Sequence, residues 1–173
     1  MKEREIQLLK NLQKKLTEWE IDSLYRDSST GEIPTDIVTA LITEFGNSQD
    51  EVLAEFFFMP EVEGRESDGL YFHSVFTLTE DVTEEMLPRL YEATAILNCV
   101  TETGTFAVTK AGNTLIYRNS IAMPLDTPDD MAEKLMAANA MFAINVSEQF
   151  IDMLFKVADG RMSMEEFQGL LPN

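Results

Sequence analysis

Basic residues are scarce in this chain. Lys and Arg number 13 against 31 Asp and Glu, which leaves a formal net charge of −18. Affinity for phosphate backbones comes from neutralising them with cations, so a surface of this sign argues against nucleic acid and against anionic membranes. Cysteine occurs once, as Cys99, and histidine once, as His73. A single cysteine cannot close an internal disulfide, which fits a reducing compartment, and Cys99 reads as a small core residue. A single histidine means that any Ser-His-Asp triad or histidine metal site must draw on one side chain, and His73 reads as structural or exposed. No apolar run approaches the roughly 18 residues that span a bilayer, and MKEREIQLLKNLQKK lacks the apolar core of a signal peptide. No Walker A, GxGxxG or Gly-x-Ser-x-Gly pattern occurs. These absences lead us to expect a cytoplasmic protein with no cofactor, no metal and no catalytic residue.

What is present is a core-forming chain. Apolar residues make up 45% of 173 positions, well above the composition of disordered segments. That length suits one domain, expected over residues 1–158, with a helical extension at 159–173. The charge is uneven: residues 1–15 hold five bases and two acids, so that segment is +3 and the remainder −21. An acidic field steers basic polypeptides inward and also keeps proteins soluble.

Periodicity divides the chain into elements. Leu9, Leu12, Leu16 and Trp19 form one apolar stripe, predicting an opening helix over 3–21. RDSSTGEIP breaks it. IVTALITEF (37–45) and EVLAEFFFM (51–59) flank the turn GNSQD and read as strands, and after the loop PEVEGRESDG so does LYFHSVFTL (70–78), giving an antiparallel meander. Residues 82–98 predict a helix with Thr83 as N-cap and Leu87, Leu90, Tyr91 and Leu97 inward. Two strands then flank Lys-Ala-Gly-Asn, where Gly112 and Asn113 tolerate positive φ. Thr127, Pro128, Asp129 and Asp130 start a long helix whose stripe is Leu135, Met136, Phe142, Val146, Phe150, Leu154 and Phe155, running to about residue 158. Ser163 and Glu166 match a capping box that opens a short last helix. The expectation is an α+β fold with a five-stranded antiparallel sheet, in the order α-β-β-β-α-β-β-α plus a C-terminal helix.

That order resembles the class I type III secretion chaperone fold. A sharper likeness is to the YbjN family, which shares it: a helix running into Asn98, a strand Gly104-Thr105-Phe106, a strand ending in Tyr117-Arg118, then Met123-Pro124 and a long helix. The likeness covers about residues 35–157, and the tail at 159–173 and the heavier negative charge depart from it. It implies a small acidic dimer that holds an extended client segment, or a regulator of sensory transduction.

Two acidic groups, Glu61, Glu63, Glu66 and Asp68 and then Glu80, Asp81, Glu84 and Glu85, could offer oxygen ligands, but neither has EF-hand spacing. A solvated loop and a helix start explain them. The feature that stands out is apolar residues on both faces of the meander. Leu53, Phe57, Met59, Tyr71 and Val75 alternate with the core positions, and an antiparallel sheet usually leaves that second face polar. The reading is a non-enzymatic, protein-binding module, chaperone-like or regulatory, that binds its partner through these five residues and forms a homodimer. The alternative is a small-ligand binder or enzyme with a pocket between sheet and helices, using His73, Tyr71 or Tyr117.

Overall fold

The computed structural model describes residues 2–46, 50–60, 69–109 and 113–172. Along the chain run α1 (Lys2–Glu18), β1 (Asp22–Arg26), a 3-10 turn (Ser28–Thr30), β2 (Ile37–Phe45), β3 (Asp50–Phe58) and β4 (Gly69–Thr79). Then follow α2 (Leu87–Val100), β5 (Thr105–Thr109), β6 (Thr114–Pro124), α3 (Asp129–Ala158) and α4 (Met164–Leu170). The fold is α+β, and its antiparallel sheet has six strands in the order β1-β2-β3-β4-β6-β5.

The sixth strand is β1, where the sequence predicted five. Its five residues, DSLYR, are too few to display an alternation, and they become a strand by pairing with β2 from Asp22↔Leu41 to Arg26↔Ile37. The 82–98 helix starts later, at Leu87, with no side-chain cap; Thr83 instead closes a turn, its carbonyl accepting from Met86 N at 3.1 Å. Pro88 dictates that boundary, because without an N–H it suits only the first turn of a helix. At α4 the capping box forms as expected, with Ser163 Oγ accepting from Glu166 N and the Glu166 carboxylate from Ser163 N. The anticipated turns at 47–49 and 110–112 and the acidic loop 61–68 lie outside the described residues; Asn113 does take a positive φ of 50°.

Two compact units make up the chain. The first comprises residues 1–42, 53–75 and 120–142. Leu8, Leu9, Leu12 and Leu16 of α1 are buried in it, as are Val38, Ala54, Phe56, Phe58 and Phe72 of the strands. Phe72 stacks on Phe56 and takes Phe58 edge-on. Arg4 ties α1 to the start of α3, donating to Leu125 O at 2.6 Å and Asp129 Oδ1 at 2.7 Å and also to Thr127 O. Lys2 lies 3.8 Å from the buried Asp36. With Lys10 lying 5.1 Å over the Tyr25 ring and Lys15 paired with Glu18 at 2.7 Å, four of the five N-terminal bases are used within the fold.

The second unit comprises residues 43–52, 76–119 and 143–173. Its core is an aromatic ladder in which Tyr117 meets Phe76 at 6.4 Å and Phe106 at 4.7 Å, and Phe106 meets Phe150 at 6.1 Å. The Tyr117 hydroxyl donates to Thr103 O at 2.8 Å, and Gly104, at φ 73°, lies so close that a Cβ there would run into that hydroxyl. Asn98 brackets Phe106, donating to its carbonyl and accepting from its N–H. The Asn98, Gly104-x-Phe106 and Tyr117 pattern is thus one structural knot. The extension is integrated rather than free, since α4 packs on α2 and buries Phe167.

Several residues turn the other way from expectation. Cys99 is exposed, on the solvent side of α2, with its thiol donating to Ala95 O. Tyr91 is also exposed, and α2 buries Leu90, Ala93, Thr94 and Leu97. On α3, Met136, Phe150 and Leu154 are buried, but Leu135 and Phe142 face solvent. The inner side of α3 is built instead from Ala132, Ala140 and Ala143, small residues that let a helix sit close to what it packs on.

Candidate functional site

In a strand, successive side chains point to opposite faces. In β4 the buried positions Leu70, Phe72 and Ser74 point inward, and the buried Ser74 Oγ donates to Asn139 Oδ1 of α3 at 2.6 Å. Tyr71, His73 and Val75 consequently point away from the helices. In β3 the same alternation buries Val52, Ala54, Phe56 and Phe58 and turns Leu53 and Phe57 outward, with Met59 following just past the strand's end. Met59 N donates to Tyr71 O at 2.9 Å, which sets Met59 beside Tyr71 and Phe57 beside His73. The Phe57 and His73 rings stack at 5.5 Å between centroids.

All five residues singled out in the sequence therefore share the outward face of the first unit. Leu53, Met59 and Tyr71 are 42%, 52% and 41% exposed, and Phe57 and Val75 are half-buried. Two further residues that the sequence reading missed enlarge the patch: Leu41 on β2 and Leu24 on β1, the latter 61% exposed. Leu24 was hidden because β1 was not read as a strand, whereas the alternation of IVTALITEF could have found Leu41. The same unit exposes Met131, Leu135, Met141 and Phe142 along α3.

Near this face lies Asp36, among the described residues the one buried carboxylate with a shifted pKa. Its Oδ1 accepts from the Tyr25 hydroxyl at 2.7 Å and Ser28 N at 3.3 Å, and its Oδ2 from Ser28 Oγ at 3.1 Å. Burial pushes the carboxyl up, but the hydrogen bonds from Tyr25 and Ser28 and the Lys2 charge together hold it below the usual value. Burial and then the Asp36 carboxylate push the Tyr25 phenol up. This knot fixes β1 against β2 and so positions Leu24.

His73 Nδ1 lies 2.7 Å from Ser120 Oγ on β6. A Ser–His hydrogen bond is the geometry of a nucleophile and base, yet this one sits on the outward sheet surface. The larger cavity, about 640 Å³, is in the second unit, lined by apolar residues including Leu78, Leu90 and Phe155 and by charged ones including Asp81, Asp152 and Lys156. A smaller one of about 340 Å³ is lined by Arg161, Met162, Glu166, Gly169 and Leu170. Neither of these two cavities is lined by His73, Tyr71 or Tyr117. Tyr117 is a core residue.

Among the described residues no group of three or more His, Cys, Asp or Glu side chains is placed to hold a metal ion, and no helix is long and apolar enough to cross a membrane. No protein-family model and no curated protein matches the chain.

Proposed function

We propose that this chain is a non-enzymatic protein-binding module, chaperone-like or regulatory, that captures a partner segment on the outward sheet face of its first unit. The observation that carries this reading is the set of apolar side chains Leu53, Phe57, Met59, Tyr71 and Val75, extended by Leu24 and Leu41, gathered with the interspersed Glu55 and His73 on one outward sheet face of a highly charged chain. Exposed apolar patches on soluble proteins mark interaction sites, and a flat sheet face suits an extended strand or a helix laid across it. The element order and the Asn98, Gly104-x-Phe106 and Tyr117-Arg118 pattern support a place among YbjN-like, secretion chaperone-like proteins of the cytoplasm. On this reading the partner segment is apolar with basic flanks: apolar burial sets the lifetime of the complex, and the −18 charge speeds encounter.

The test is a displayed library of random 12-residue peptides selected on the protein, with the enriched peptides titrated calorimetrically. Apolar peptides with Lys or Arg flanks should be recovered, and their association should slow, without vanishing, as salt rises. Peptides that bind the Phe57→Asp variant as tightly as the unaltered chain would put the contact elsewhere.

A further inference from the structure

The sheet ends at β1 on one side and β5 on the other. The β5 edge is occupied. Asn98 donates through Nδ2 to Phe106 O at 2.9 Å and accepts from Phe106 N at 2.8 Å, so a side-chain amide stands where the peptide group of a neighbouring strand would. At β1 the corresponding contacts are with Gln13 of α1, whose Nε2 donates to Ser23 O at 3.2 Å, near the long end of the normal range, and whose carbonyl accepts from the Ser23 hydroxyl at 3.4 Å, so only one of them engages the strand's backbone.

We infer that β1 is the edge through which two copies of the chain join, strand to strand, about a two-fold axis at Leu24. Adjacent residues of a strand present their backbone groups to opposite sides. Ser23 O reaches α1, so the peptide groups of Ser23 and Tyr25 are the ones turned away from β2. An antiparallel second β1 centred on Leu24 then makes Ser23 and the partner's Tyr25 a hydrogen-bonded pair, and brings the two Leu24 side chains together as the closer, non-hydrogen-bonded pair.

The sequence of this edge is complementary to itself. Read antiparallel, DSLYR sets Asp22 opposite the partner's Arg26 and Arg26 opposite the partner's Asp22, both on the outward face with Leu24 between them. Asp22, Leu24 and Arg26 are all exposed in the single chain, and among the described residues Arg26 pairs with Glu32 at a long 4.0 Å. A foreign strand would not require opposite charges at equal distances on either side of an apolar centre. An isologous contact does, because each residue must suit its symmetry mate. The contact is small and opposes two chains of −18, so it belongs at near-physiological salt, where the Debye length is about 8 Å.

The inference concerns the edge and stands apart from the proposed partner face, which the experiment separates. Light scattering on eluting protein, over roughly 1–100 μM as suits so small an interface, should give twice 19.6 kDa at the upper end. Asp22→Arg or Arg26→Asp alone places like charges opposite each other twice, and should raise the dissociation constant at least about tenfold. The Asp22→Arg/Arg26→Asp double variant should restore the dimer, and circular dichroism should show all three folded. In a Cys99→Ser background, Leu24→Cys should form an intermolecular disulfide under mild oxidation, since the two positions meet on the axis. A mass of 19.6 kDa throughout, single variants that dimerise normally, a folded double variant that stays monomeric, or absence of the cross-link would each overturn the inference. So would a monomeric Phe57→Asp variant with β1 intact, because the copies would then meet through the sheet face.

Discussion

The two units differ most in what they show to water. Among the described residues, ten of the twelve large hydrophobic side chains that are exposed belong to the first unit, and only Tyr91 and Leu170 to the second. The strands of both obey the same alternation. In the second unit the positions that alternate with the core are Thr77, Thr79, Thr105, Thr109 and Thr114, with Ala107 and Ile116 among them. Threonine keeps the β-branched shape that strands favour while offering a hydroxyl to water. In the first unit the equivalent positions include Leu24, Leu41, Leu53, Phe57, Tyr71 and Val75, set among the polar Asp22, Arg26, Thr39, Glu55, His73 and Ser120. The outer side of α3 repeats the contrast, with Met131, Leu135, Met141 and Phe142 in the first unit and Asn145, Glu148 and Gln149 in the second. The inner residues are apolar in both units, so folding requires no such difference on the outside. On the proposed function, what differs is the occupant of that outside, water in one unit and protein in the other.

The largest effect should come from attacking the unit that keeps its surface polar and stakes everything on its interior. Gly104→Ala combines a positive φ with overlap of the Tyr117 hydroxyl, and should cost about 3 kcal/mol, read as a fall in Tm and in the urea midpoint. An unchanged midpoint would mean that the Tyr117 knot is not rigid. Next, Phe57→Asp should weaken binding of selected peptides by about 2 kcal/mol while leaving the fold, and Thr77→Asp, at an equivalent position of the second unit, should leave binding alone. If Thr77→Asp were equally damaging, the contrast between the units would carry no functional meaning.

Asp36 sharpens the comparison through pH. Its folded pKa lies below the ordinary value, so its stabilising contribution is complete above the unfolded pKa, about 3.9, and is lost as pH falls through the folded one. Asp36→Asn should therefore cost about 1–2 kcal/mol at neutral pH and flatten the acid limb of the stability curve, as followed by denaturant titration between roughly pH 2 and 5. The smallest effect is expected at Ser163→Ala, about 1 kcal/mol from loss of the α4 cap, with peptide binding untouched.

Local signals carried most of the fold. The β2–β4 meander, the β5–β6 hairpin, the start and end of α3 and the capping box of α4 each announce themselves within a few residues of sequence. β1 did not, because a five-residue edge strand exists through its partner rather than through any pattern of its own. On α3, Leu135 and Phe142 belong to the expected apolar stripe yet face outward, and the core side is filled by alanines that carry little hydrophobic signal. Cys99 misled for a similar reason: its residue type favours burial, and its place on α2 does not. The outward five were legible because alternation and apolar character coincide there; Leu24 needed the missing strand.

Asn98 has a consequence for growth. A sheet with two receptive edges can add copies without end, the route by which edge strands seed fibres. Here a side-chain amide ends one edge, so an assembly begun at β1 has nowhere to go after the second chain. If the inferred β1 dimer holds, the same two hydrogen bonds that fix Phe106 in one chain also cap that residue at the edge where a third chain would join.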